Sequence, residues 1–218
     1  MSQARGWSGG GTATTLVLVR HGATAHSVEK RFSGGITGAN PPLSPAGIAQ
    51  VEATADWLAA REDIDVVVTS PVRRTRESAA ILARRLGAEI AEVVDGMAEM
   101  DFGSWDGFTF AELMAQHQED LTAWLADHGV AAGGAESFRQ VQERVLAARD
   151  RLLEKYAGAT IAVLTHVSPI KILVADAVGA ELDALYRMEL TAASVTTVAY
   201  YSGDGQLRPS LRLFNAVP

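Results

Sequence analysis

Apolar residues gather in four short runs, at positions 15–19, 65–69, 161–164 and Val195–Tyr200. Runs this brief, bounded by polar and turn-forming residues, predict strands rather than helices. Between them the apolar positions recur at helical spacing. Ile48, Val51, Ala55 and Leu58 form one stripe, and Phe138, Val141, Val145, Leu152 and Tyr156 form a longer one. Stripes of this kind pack onto a core, so the alternation predicts an α/β fold in which helices cover a sheet. Three helices are expected to open with one device, Ser44-Pro45, Ser70-Pro71 and Ser168-Pro169, with serine as N-cap and proline in the first turn. Two of these follow strands ending near Thr69 and Thr165. A helix N-terminus at a strand end favours a bound anion.

Chemistry concentrates at the same ends. Arg20-His21-Gly22 follows the run Leu16-Val17-Leu18-Val19 directly, and open α/β sheets bind ligands at the carboxyl ends of their strands. Arginine matches phosphate geometry and stays charged, while a neutral imidazole offers a lone pair for attack on phosphorus. A second histidine, in Thr165-His166, follows the run Ile161-Ala162-Val163-Leu164. The pair predicts an enzyme that forms a phosphohistidine. Bland readings stand beside this one: a solvated Arg-His loop, a hydrogen-bonded structural role for His166, and a solvated basic face for Arg73, Arg74 and Arg76.

Composition narrows the field. The chain's 218 residues suit one α/β domain, expected over 15–218, after a Gly/Ser/Thr-rich segment 1–14 read as flexible. Its net charge of −7 argues against a nucleic-acid or anionic-membrane binder, and there is no cysteine for disulfides or thiolate metal sites. No apolar stretch has the length of a bilayer span, and the N-terminus lacks a secretory layout, so the cytoplasm is the expected compartment. His26, His117 and His128 are read as bystanders. No His-x-x-x-His spacing or paired carboxylate cluster accompanies them, so neither metal nor cofactor is expected.

Taken together, the motifs resemble the histidine phosphatase superfamily, the phosphoglycerate-mutase-like group. The likeness rests on Arg20-His21-Gly22-Ala23-Thr24, Phe32-Ser33-Gly34, Pro42-Leu43-Ser44 with Gly47 and Gln50, and Ser70-Pro71-x-x-Arg74. It continues through Glu99 with Phe102-Gly103-x-Trp105-Asp106-Gly107, Gly133-Gly134-x-Glu136-Ser137, and Thr165-His166. The resemblance implies a three-layer α/β/α architecture with a mostly parallel central sheet. It implies that His21 is the phosphorylated nucleophile, that Arg20, Arg74 and His166 complete the phosphate pocket, and that Glu99 is the proton donor.

His166 is expected to act as imidazolium, and Glu99 to be kept protonated by a partly enclosed site. Glu92, Asp95, Asp101 and Asp106 are rivals for the acid role. Thr24, Ser27, Ser33, Gly34 and Val167 are secondary candidates for substrate contacts. Phe102, Trp105, Phe108 and Phe110 are either a cleft wall or core beneath a loop. Ser27, and Val167-Ser168 after the second histidine, depart from the mutase pattern, and the long insertion of the glycolytic mutases is missing. The resemblance therefore implies a metal-independent phosphomonoester hydrolase acting on a small metabolite, such as α-ribazole 5′-phosphate, or a broad acid phosphatase. A cofactor-dependent phosphoglycerate mutase and a catalytically silent binding module are the alternatives. Residues 1–14 resemble the linker that joins such a domain to a ribonuclease H-like domain in some actinobacterial proteins, and a homodimer is compatible with the class.

Overall fold

The computed structural model describes residues 12–203 and 206–218. Residues 1–11 of the segment read as flexible lie outside the described part. Its end is placed too late, because Ala13 and Thr14 already belong to the first strand.

Six strands form one sheet in the order β3-β2-β4-β1-β5-β6. They are β1 (Ala13–Arg20), β2 (Val66–Thr69), β3 (Ile90–Val93), β4 (Thr160–Thr165), β5 (Val195–Gly203) and β6 (Gln206–Ala216). The pairs β1–β4, β4–β2 and β2–β3 are parallel, whereas β5 and β6 join antiparallel at the other side. All four predicted strands form. The two that the pattern missed are both edges: β3 is a short and largely exposed IAEV segment, and β6 carries Pro209 and alternates poorly.

Because successive strand residues point to opposite faces, β1 serves two cores at once. Val17 and Val19 pack with Ala55 and Leu58 of α2 (Pro45–Ala59) and with Ala79 and Leu82 of α3 (Arg73–Leu86). Leu16 and Leu18 pack on the other face with Val141, Val145 and Leu152 of α6 (Phe138–Lys155) and Ile170 and Leu173 of α7 (Val167–Ala177). This is the three-layer arrangement, with its deepest residues in β1 and β4. Smaller helices α1 (Ala25–Val28), α4 (Phe110–Gln116) and α5 (Gln118–Ala126) occupy the connections. Among the described residues no helix is long and apolar enough to cross a membrane.

Only one of the three serine-proline starts works as expected. Ser44 Oγ accepts from Gly47 N at 3.0 Å and caps α2. Ser70 lies before α3, whose N-cap is Val72, and Ser168 lies inside α7, whose N-cap is His166. Ser70 is bound elsewhere, and that engagement builds the site.

Candidate active site

Parallel pairing brings three strand tips together. His21 N donates to Thr165 O at 3.1 Å and Ser70 N to Leu164 O at 3.0 Å, so the ladder runs one residue past each strand. His21, His166 and Ser70 thus stand side by side, and the two imidazole centroids are 5.2 Å apart. The tip of β1 is set against α2 by the Gly22–Gly47 contact. A Cβ on Gly47 would lie 2.1 Å from Ala23 O, and one on Gly22 would lie 2.3 Å from Gly47 O, so neither position has room for a side chain.

The hydrogen bonds of His21 fix its tautomer. Its Nδ1 lies 2.8 Å from Gly22 O, and a carbonyl only accepts, so Nδ1 carries the proton and Nε2 the lone pair. Arg74 Nε donates to that lone pair at 3.2 Å. Burial, then the charges of Arg74 and Arg20, hold the His21 pKa well below the usual imidazole range, so the ring is neutral near pH 7. Arg74 is 1% exposed. Its Nη2 donates to Ser33 O at 3.1 Å and Gly34 O at 3.2 Å, and burial lowers its pKa to about 10, which leaves it charged. Arg20 donates from Nη1 to Leu190 O, while its buried Nε has no partner among the described residues.

His166 is fully buried and does not stand as imidazolium. Burial first, then Arg74 and the neighbouring His21, push its pKa well below the ordinary value. The expectation of a charged ring overlooked that two buried guanidinium groups already occupy the pocket. Ser70 Oγ lies 2.7 Å from His166 Nε2, and Nδ1 has no partner among the described residues.

Glu99, 7% exposed, reaches the first turn of α7. Its Oε1 accepts from Met100 N at 3.0 Å and Ser168 N at 3.2 Å, and its Oε2 accepts from Val167 N at 3.2 Å. The loop that carries it is tied down by Arg144 of α6. That guanidinium donates to Gly96 O, Ala98 O and Glu99 O, and to both carboxylate oxygens of Glu136. The rival carboxylates face other tasks. Glu92 pairs with Arg151 and Lys155, Asp106 accepts from Gly34 N and Ala39 N, and Asp101 from Gly103 N. Asp95 opens a 3₁₀ turn before Glu99 and does not line the cleft described next.

A cleft of about 540 Å³ opens over Arg20, His21, Arg74 and Glu99. Thr24, Ser27, Ser33 and Val167 also line it, but two predicted site residues do not: His166 is fully buried beside His21, and the Gly34 carbonyl accepts from Arg74. Thr24 and Ser27 cap α1 reciprocally, and the Ser27 hydroxyl donates to Thr24 O at 3.0 Å. The aromatic cluster divides. Phe102 and Phe110 face the cleft, whereas Trp105 is core and Phe108 packs against it. Among the described residues no group of three or more His, Cys, Asp or Glu side chains is placed to hold a metal.

Residues 16–210 match the sequence profile of the histidine phosphatase superfamily, branch 1. The chain belongs to this superfamily. It is 42% identical over 211 residues to a bifunctional protein of Mycobacterium tuberculosis, a match covering 96% of this chain and 56% of that relative. The chain thus spans little more than half the length of that protein. A phosphoserine phosphatase of Hydrogenobacter thermophilus is 28% identical over 184 residues, covering 84% of this chain and 85% of the relative. Among solved structures, a mycobacterial glucosyl-3-phosphoglycerate phosphatase complexed with VO3 superposes with a TM-score of 0.81 at 27% identity, covering 94% of this chain and all of the other.

For this histidine phosphatase superfamily member, several residues of the site carried no readable signal in the chain. Ser70 was legible only as a cap, because its contact with His166 depends on β4 lying beside β2. Arg144 sits in an ordinary charged helix. Lys171, Trp124, Phe138 and Tyr186 line the cleft from α7, α5, α6 and a 3₁₀ turn. His128, read as a surface bystander, has a side chain only 15% exposed and stacks on Tyr186. Arg73 and Arg76 are solvent-facing, as the bland reading had it, and Arg73 pairs with Glu77.

Proposed function

We propose that this chain hydrolyses phosphomonoesters of small metabolites, without a metal, through a phosphohistidine on His21. The observation that carries the reading is the fixed tautomer of His21: a lone pair on Nε2, held beside Arg74, with Nδ1–H anchored to Gly22 O. Arg20 and Arg74 hold the phosphoryl oxygens, and their burial makes the interaction strong. Nε2 attacks phosphorus and forms an N–P bond as the ester P–O bond breaks. The carbonyl of Gly22 supports the positive charge that the ring gains. The three backbone N–H groups that donate to Glu99 favour its carboxylate rather than the resting carboxylic acid expected from the sequence. Glu99 therefore takes up a proton as the ester binds and gives it to the departing alkoxide, and its carboxylate then takes one from the attacking water. Water forms the new P–O bond, the N–P bond breaks, and phosphate leaves with His21 neutral again.

A neutral His166 still contributes. When the Ser70 hydroxyl donates to Nε2, the ring proton sits on Nδ1; the ring is fully buried and outside the cleft lining, and its donor serves a phosphoryl oxygen that enters beside His21, whose ring centroid is 5.2 Å away. Thr24, Ser27, Ser33 and Val167 are then neighbours of the phosphoryl group or its ester oxygen. The hydrolase reading, rather than a mutase, is supported by the short cover between Glu99 and α6, which among the described residues consists of a 3₁₀ turn at Gly103–Trp105 and the short helices α4 and α5.

Incubation with a ³²P-labelled ester should leave an acid-labile label, and His21→Ala should abolish both label and phosphate release. Retention of turnover in His21→Ala overturns the mechanism. Net isomerisation of 3-phosphoglycerate, given a trace of bisphosphoglycerate and without phosphate release, overturns the hydrolase reading.

A further inference from the structure

We propose that the cleft selects phosphomonoesters whose alcohol portion carries a planar apolar ring. The inference rests on the hydrolase reading above and concerns the part of the cleft beyond the phosphoryl group.

Beside Arg20, Arg74 and Glu99, the cleft has aromatic walls. Phe102, three residues after Glu99, has its ring 4.7 Å from that of Phe32. The Phe32 ring lies 6.4 Å from Trp124, and Trp124 lies 6.4 Å from Tyr186. All four line the same cavity. A continuous series of ring contacts therefore runs from beside the acid–base loop to the rim. There, Tyr186 is 45% exposed and Phe110, at the start of α4, is 46% exposed. Large aromatic rings left half in water, beside a cavity lined by apolar side chains, mark a binding groove rather than a structural need.

The identity of the occupant follows from continuity. Arg20 and Arg74 fix one end of the ligand as a phosphoryl group, so whatever meets the rings is bonded to it. A small polyhydroxylated or carboxylated alcohol would set its polar groups against Phe32 and Phe102 without hydrogen-bond partners. A planar ring offers offset and edge contacts instead. Three cations also line the cleft, but Arg31 is already paired with Glu29 and Glu112, and Lys171 donates to Leu185 O at 2.9 Å. Lys30, and Lys171 with the donors its one carbonyl contact leaves over, are the rival anchors for a carboxylate.

The test compares 3-phenylpropyl phosphate with propyl phosphate, whose leaving alcohols are closely similar in basicity, and with phosphoserine. The expected result is a kcat/KM for the phenyl ester at least about tenfold above either of the others. In the double variant Phe110→Ala/Tyr186→Ala the phenyl-to-propyl ratio should fall about three- to tenfold. Equal kcat/KM for the phenyl and propyl esters, a preference for phosphoserine, or a ratio unchanged in the double variant each overturn the proposal. Should none of the esters be hydrolysed, the hydrolase reading fails. Dissociation constants of 3-phenylpropylphosphonate and propylphosphonate, measured by calorimetry, then decide ring recognition, and equal values overturn it.

Discussion

Two buried neutral imidazoles make a quantitative statement about acid stability. His21 and His166 both have folded-state pKa values well below 6.5, because burial and the nearby arginines disfavour their charged forms. In the unfolded chain each titrates near its ordinary value. Below that value the unfolded state therefore binds more protons than the native state. Stability from this source is complete above the unfolded pKa and is lost as pH falls toward the folded one. Between about pH 6.5 and pH 5.0 each group should cost up to about 1.7 kcal/mol, the ceiling set by the unfolded pKa alone, and the pair up to about 3 kcal/mol. Urea unfolding at the two pH values measures the loss directly. Carboxylates titrate in every variant, so the informative quantity is the difference between proteins. His21→Asn should lose less stability than the wild type over the interval, by up to about 1.7 kcal/mol, and His21→Asn/His166→Asn less again, by up to about 3 kcal/mol. If the wild type and the double variant lose the same stability, the rings are not held neutral by the fold, and the proposed resting state of the nucleophile goes with them.

Other outcomes follow from single contacts. Glu99→Gln should slow alkyl phosphates by about 10²-fold or more while barely affecting nitrophenyl phosphate, whose leaving group needs little protonation; equal slowing removes Glu99 from the acid role. Gly47→Ala forces a Cβ against Ala23 O at 2.1 Å, so it should destabilise by roughly 1–3 kcal/mol and lower kcat by moving the tip of β1, and an unchanged melting temperature and kcat would contradict that packing. Arg144→Met frees three carbonyls and the Glu136 carboxylate; the expected cost is about 2 kcal/mol, with the kcat loss for alkyl phosphates larger than for nitrophenyl phosphate, and an equal loss for both would show that Arg144 does not act through Glu99. Ser70→Ala should lower kcat about two- to tenfold with little change in KM, and an unchanged kcat would separate Ser70 from the His166 tautomer.

Much of this was legible in the chain because apolar runs and motif positions are local properties. Leu16–Val19 and Ile161–Leu164 announced the two central strands, and the histidines that follow them reached the same sheet edge as expected. The misreadings have one origin. Whether Ser70 caps a helix or holds a histidine depends on which strands are neighbours, and the order β2-β4-β1 is not written at either sequence position. The ionisation of His166 is not legible for the same reason, since it is set first by burial and then by Arg74 and His21, all consequences of residues remote in sequence. Edge strands β3 and β6 escaped because neither carries a fully buried face, so nothing keeps their residues apolar or alternating. Phe138 shows the limit from the other side: its helical stripe predicted core, and the residue is 7% exposed, yet it also lines the cleft.

The same burial that silences the histidines explains how a chain with a net charge of −7 can bind a phosphate ester. Long-range attraction does not favour it, so the pocket must act locally. Arg20 and Arg74 are taken out of water with incomplete compensation: the Nε of Arg20 has no partner among the described residues, and Arg74 spends its donors on two carbonyls, a serine and a neutral imidazole. Their lowered pKa values record that cost. A dianionic phosphoryl group entering the site offsets it directly, giving both guanidinium groups a charged acceptor in a low-dielectric environment. In the proposed mechanism a preference for the transition state follows from the same geometry, because Arg74 Nε occupies the His21 lone pair in the resting site and must give it up for Nε2 to attack phosphorus.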